Sequence, residues 1–139
     1  MGGSFTVLSH TADTGIEVAA DTLDEVFEWA AIGMFSTMYD LASLAPTAEV
    51  EVAAANTGFA ELLVDVLSDL IHLSEVTDVV PCAFHIIEVT STRARLRVGT
   101  APLQPETLHG PPIKAVTYHQ LSVEPLPDGT WTAQVVFDV

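Results

Sequence analysis

The chain has 139 residues, 49% hydrophobic and 17% charged, and its 4 basic against 19 acidic residues give a formal net charge of −15. A chain near ~150 residues suits one compact domain that buries roughly 68–70% of the surface of its unfolded form, and this apolar fraction is too high for disorder. No run reaches the ~18 uncharged apolar residues of a membrane span, because Glu61, Asp65 and Asp69 interrupt the best candidate.

The opening Met1-Gly2-Gly3-Ser4 lacks the charged and apolar regions of a secretion signal. The single cysteine, Cys82, excludes an internal disulfide and a multi-thiolate metal cage. A soluble, cytoplasmic domain with no membrane association is expected. Its acidity repels phosphate backbones and attracts cations or a basic partner, although a saline cytoplasm or a codon bias against lysine would give the same composition. The acids are scattered, with no like-charge block of the kind that marks a disordered tail.

In chain order, residues 5–9 and 15–20 read as short strands around the polar turn His10-Thr11-Ala12-Asp13-Thr14. From Thr22 the period changes from two to 3.6. Leu23, Val26, Phe27, Ala30, Ala31, Met34, Phe35 and Met38 form one helical stripe, opened by a capping box at Thr22 and Glu25. Residues 48–54 read as a strand. A second helix is predicted over 58–74, with Phe59, Leu62, Leu63, Val66, Leu67, Leu70 and Leu73 inward and Glu61, Asp65 and Asp69 outward.

Two strands follow over 83–90 and 92–98, turning near Ser91, and residues 100–112, with four of the eight prolines, read as a loop. Residues 114–124 and 130–139 read as a hairpin around Pro127-Asp128-Gly129. There is no internal repeat and no strict βαβ alternation. The expected fold class is α+β: a single compact domain over 1–139, with two amphipathic helices packed on a mainly antiparallel sheet.

Familiar catalytic motifs are absent. There is no G-x-x-x-x-G-K-[ST], no G-x-G-x-x-G and no H-E-x-x-H. His10, His72, His85, His109 and His119 are far apart in sequence, and a lone histidine beside an apolar strand is most often structural. The only lysine, Lys114, opens a predicted strand with no evident activating base beside it. Alternation puts Arg93, Arg95 and Arg97 on one strand face and Ala94, Leu96 and Val98 on the other. That stripe is either a solvated face neutralised by nearby acids or a contact for an anionic partner or RNA phosphate.

Three oxygen anions could converge on a hard cation. Asp13 sits in the turn between the first two strands. Asp138 lies on the polar face of the last strand with Thr132 and Gln134, opposite Trp131, Ala133, Val135 and Phe137. Val139 follows it, with its α-carboxylate beside the Asp138 side chain.

Five blocks of sequence carry a resemblance. They are His10-Thr11-Ala12-Asp13 with Gly15-Ile16-Glu17-Val18; Ala30-Ala31-Ile32-Gly33-Met34-Phe35 with Met38 and Asp40; the run from Glu61 to Leu70; Ile113-Lys114-Ala115-Val116-Thr117-Tyr118-His119; and Phe137-Asp138-Val139. In this order they resemble the archease family, from Phe5 to Val139. The chain departs from the family pattern at Val66, where tryptophan is common, and at Thr100 and Pro112, where acidic residues are common.

The resemblance implies a small α+β protein that is not itself a ligase. Such a protein assists the GTP-dependent RNA ligase joining tRNA halves, promoting its guanylylation and multiple turnover. The ligase would be the protein partner, with RNA contacted only indirectly or transiently. The family's metal site maps to Asp13, Asp138 and Val139, with Ca²⁺ the implied ion and Mg²⁺ another hard divalent candidate. Two readings from other classes compete: a metal-dependent hydrolase using Asp13 and Asp138 with His10 or His119, and a chaperone-like binding module.

Overall fold

Apolar residues at every second position become strands, and those at helical spacing become two helices, in a computed structural model that describes residues 2–8 and 14–139. The order is β1 (Gly3–Val7), β2 (Thr14–Ala20), α1 (Leu23–Ser36), β3 (Ala48–Ala55), α2 (Phe59–Thr77), β4 (Val79–Val89), β5 (Arg93–Pro102), β6 (Ala115–Val116), β7 (Ser122–Pro125) and β8 (Trp131–Asp138). Every pairing is antiparallel. One sheet runs β1-β2-β8-β6, with β7 also on β8, and the other runs β3-β5-β4. The class is α+β, as expected, with the strands divided between two sheets.

The helices lie between the sheets. α1 packs on β1 and β2 of the first and on β4 of the second, while α2 packs on β3 and β4 of the second and on β6 and β7 of the first. This placement explains the burial of α2. Leu62, Leu63, Val66, Leu67 and Leu70 are wholly buried on the predicted stripe, and Val64 and Ile71, off that stripe, are buried too. Each such aliphatic side chain contributes roughly 1.5–3 kcal/mol. On the outward side Glu61 and Asp69 are exposed, and half-buried Asp65 accepts a hydrogen bond from Asn56 Nδ2 at 2.9 Å.

The start of α1 is fixed by its predicted cap. Thr22 Oγ1 accepts from the Glu25 N–H at 3.2 Å, and the Thr22 hydroxyl donates to Glu25 Oε1 at 3.0 Å. The other carboxylate oxygen of Glu25 accepts from the Gly2 N–H at 3.1 Å, tying the start of β1 to the helix. Met38 lies beyond the helix end, since Thr37 is the C-cap, yet it is only 6% exposed.

Several boundaries differ from the sequence pattern. β1 begins at Gly3 rather than at residue 5, and α2 runs three residues past 74 to a left-handed Asp78. β4 begins at Val79, pairing Val79, Val80 and Pro81 with Pro102, Ala101 and Thr100. Residues 100–102 are therefore strand, not the start of a loop. Pro81 is tolerated because β4 is an edge strand and has a register shift directly after it.

The predicted strand 114–124 is two strands. Thr117 donates both its N–H and its hydroxyl to the Val136 carbonyl, at 3.0 and 2.9 Å, and its Oγ1 accepts from the His119 N–H. Gln120 then takes a positive φ of 52°, and the ladder resumes only at Ser122. The Pro127-Asp128-Gly129 turn forms as predicted, with Gly129 at φ 91°, a conformation that suits glycine. Asp128 Oδ1 accepts from the Thr130 hydroxyl and N–H at 2.6 and 3.0 Å, which lowers its pKa.

Candidate metal centre

β8 is held on both sides where it ends. On one side β2 pairs with it residue for residue up to Thr14 opposite Phe137. On the other, Ala115 stands opposite Asp138, and the Lys114 N–H donates to the Asp138 carbonyl at 2.7 Å. Phe137 is fully buried, so strand alternation turns the Asp138 side chain to the outer face, where it is exposed. Its carboxylate forms no ion pair among the described residues. Val139 follows, 39% exposed.

Asp13 and His10 lie outside the described residues, so the expected convergence of Asp13 with Asp138 and Val139 is a matter of sequence and of its covalent neighbours. Thr14, next to Asp13 in the chain, is paired with Phe137, next to Asp138. The donors that Asp138 and Val139 offer are oxygens, as a hard cation requires, and the Asp138 carboxylate is in no ion pair with a cation among the described residues. Those residues fit Ca²⁺ or Mg²⁺. Among the described residues no three side chains of His, Cys, Asp or Glu gather in a way that would hold a metal.

The described histidines are dispersed. His72 is on α2, His85 on β4, His109 before β6 and His119 between β6 and β7, all exposed. Lys114 is exposed beside a groove of about 180 Å³ shared with Ser68, His72 and Glu75, and it forms no ion pair among the described residues. Cys82 is half-buried, and burial pushes its thiol pKa up, away from reactivity.

The arginine stripe is present on the outer face of β5, and acids neutralise two of its members. Arg93 pairs with Glu88 at 3.0 Å, and Arg95 pairs with Glu51 at 3.1 Å, which raises the Arg95 pKa. Arg97 forms no ion pair among the described residues. Opposite it on β4 stands His85, a pairing no local sequence pattern signals. Among the described residues no helix is long and apolar enough to cross a membrane.

Comparison with known proteins gives a consistent family. Residues 5–139 match the model of the archease protein family (MTH1598/TM1083). The protein archease of Methanosarcina acetivorans is 36% identical over 149 aligned positions, covering 99% of this chain and 97% of that protein. That of Pyrococcus furiosus is 35% identical, covering 94% of each chain. The solution structure of protein 1598 of Methanobacterium thermoautotrophicum superposes with a TM-score of 0.79 at 26% identity, covering 97% of this chain and 98% of that one. The crystal structure of an archease from Thermotoga maritima, described as a possible chaperone, shares the fold with a TM-score of 0.64 at 24% identity, covering 95% of this chain and 94% of that one. The chain belongs to the archease family.

Proposed function

We propose that the protein is a non-enzymatic activator of a GTP-dependent RNA ligase of the tRNA-splicing type, working as a Ca²⁺-bound partner that promotes ligase guanylylation and turnover. The observation that carries this reading is the match to the archease family from residue 5 to residue 139, with the aspartates of both outer blocks in place. The chain's chemistry is consistent with a helper: it has no glycine-rich phosphate loop, and its one lysine forms no ion pair among the described residues.

Asp13, Asp138 and the Val139 carboxylate would hold the ion, which when bound supplies a fixed positive charge and open coordination positions for oxygen ligands of a partner. The protein's own contribution is to hold these donors. The Thr14–Phe137 pair and the Lys114 N–H to Asp138 carbonyl bond clamp the backbone on either side of the Asp138 carboxylate. Pairing on both sides limits how far that carboxylate wanders before the partner arrives.

The test is a guanylylation and ligation assay with the cognate ligase, GTP and a cleaved RNA. Addition of the protein is expected to raise both ligase-GMP formation and the number of turnovers, while the protein alone neither seals RNA nor takes up GMP. Covalent GMP on this chain, or metal-dependent hydrolysis by the protein alone, overturns the reading and favours the hydrolase. Unchanged ligase kinetics with a folded, Ca²⁺-loaded protein overturns it as well.

A further inference from the structure

The outer face of the β3-β5-β4 sheet carries a pattern that the metal reading leaves unused. Cross-strand register puts Glu51, Arg97 and His85 in one row, and Arg95 with Glu88 in the next. Arg95 reaches diagonally to Glu51, the acid opposite Arg97, and Arg93 reaches to Glu88, the acid opposite Arg95. Each arginine thus takes its neighbour's acid. Arg97 is left over, without an ion pair among the described residues of a chain with 19 acids and 4 bases.

Beside Arg97 opens a groove of about 490 Å³, within the range of small-ligand sites, lined by Arg97, His85, Thr47, Glu49 and Pro46 over Gly99. A Cβ on Gly99 would lie 2.9 Å from Pro46 Cβ and 3.1 Å from Ala83 Cβ, so the floor is backbone closed on both sides. Neither the His85 imidazole nor the Thr47 hydroxyl has a hydrogen-bond partner among the described residues.

We propose that this groove binds a small phosphate monoester. The Arg97 guanidinium presents a planar fork of donors suited to two phosphate oxygens. His85 and Thr47, from β4 and from the segment entering β3, present donors for a third oxygen, one more than a carboxylate has. The Glu49 carboxylate accepts from a hydroxyl of the esterified group. A polymeric backbone fits this face poorly. Its affinity comes from many cationic contacts, and two of the three arginines here are already engaged. A single phosphate is less affected by the molecule's acidity, because charges beyond ~8 Å are largely screened at physiological ionic strength.

The experiment follows the amide spectrum of the isotopically labelled protein during titration with ribose 5-phosphate, then with ribose, and then with a short unphosphorylated oligoribonucleotide. It needs neither Ca²⁺ nor a ligase, so its outcome is separate from that of the activator reading. Ribose 5-phosphate is expected to shift residues 47–49, 83–85 and 97–99 saturably, and ribose is not. Arg97→Gln is expected to weaken binding about tenfold, the weight of one charge-assisted contact, and His85→Ala less, with Arg93→Gln unchanged. Absence of saturation, an equal response to ribose, unchanged affinity in a folded Arg97→Gln protein, or tighter binding of the oligoribonucleotide at these residues would each overturn the proposal.

Discussion

The Met38 sulfur accepts a hydrogen bond from the Ile113 N–H at 3.3 Å, across 75 residues of sequence and in the buried interior. The contact joins the end of α1 to the segment leading into β6, which brackets the end of β8. A thioether is a weak acceptor, yet it is the group that meets this buried donor. Met38→Leu keeps the volume and removes the acceptor. Its expected cost is about 1–3 kcal/mol, the penalty of an unsatisfied buried N–H, whereas repacking alone would stay below ~1.5 kcal/mol. Urea denaturation of both proteins measures the difference.

At the other end of α1, Thr22→Ala removes the acceptor for the Glu25 N–H and the donor to the Glu25 carboxylate. A loss of about 1 kcal/mol is expected, and Thr22→Ser should restore most of it. Thermal unfolding followed by circular dichroism checks both.

Asp69 sits one turn after Asp65 on α2. Burial holds its pKa above the ordinary carboxylate value, Asp65 adds to the shift, and His72 opposes it. A raised carboxylate pKa means that the folded state binds the proton more tightly than the unfolded one. Its stabilising contribution is therefore complete below the unfolded value of ~3.9 and is lost as pH rises through the folded pKa. Asp69→Asn should accordingly gain roughly 0.2–0.5 kcal/mol at neutral pH, kept small by exposure and screening, and the gain should vanish in acid. Denaturation of wild type and variant across acid to neutral pH would show the opposite trend if the Asp69 charge were stabilising.

For the metal centre, Asp138→Asn changes charge without changing shape on an exposed side chain. It should leave the fold intact and weaken Ca²⁺ by at least about tenfold in calorimetric titration. Asp13→Ala is expected to do the same and to abolish ligase stimulation. A chelator should remove stimulation from the wild type, and excess Ca²⁺ should restore it. Equal Ca²⁺ affinity in all three proteins would move the site elsewhere.

The parts of this protein legible in its sequence are those written in short-range spacing. The α1 stripe, its Thr22–Glu25 cap, the apolar face of α2, the Pro127-Asp128-Gly129 turn and the outward side of Asp138 all follow from positions two to four residues apart, where side chains share a face. The family blocks were legible for the same reason, as ordered local patterns. Tertiary structure alone decided what meets what. It divided the strands into two sheets, drew residues 100–102 into β5 against Val79–Pro81, and broke 114–124 where Thr117 turns its hydroxyl onto the Val136 carbonyl. It also set Thr14 opposite Phe137 and His85 opposite Arg97. A ladder partner is chosen by register across a sheet and by packing from both faces, and neither leaves a mark in the spacing of a single strand.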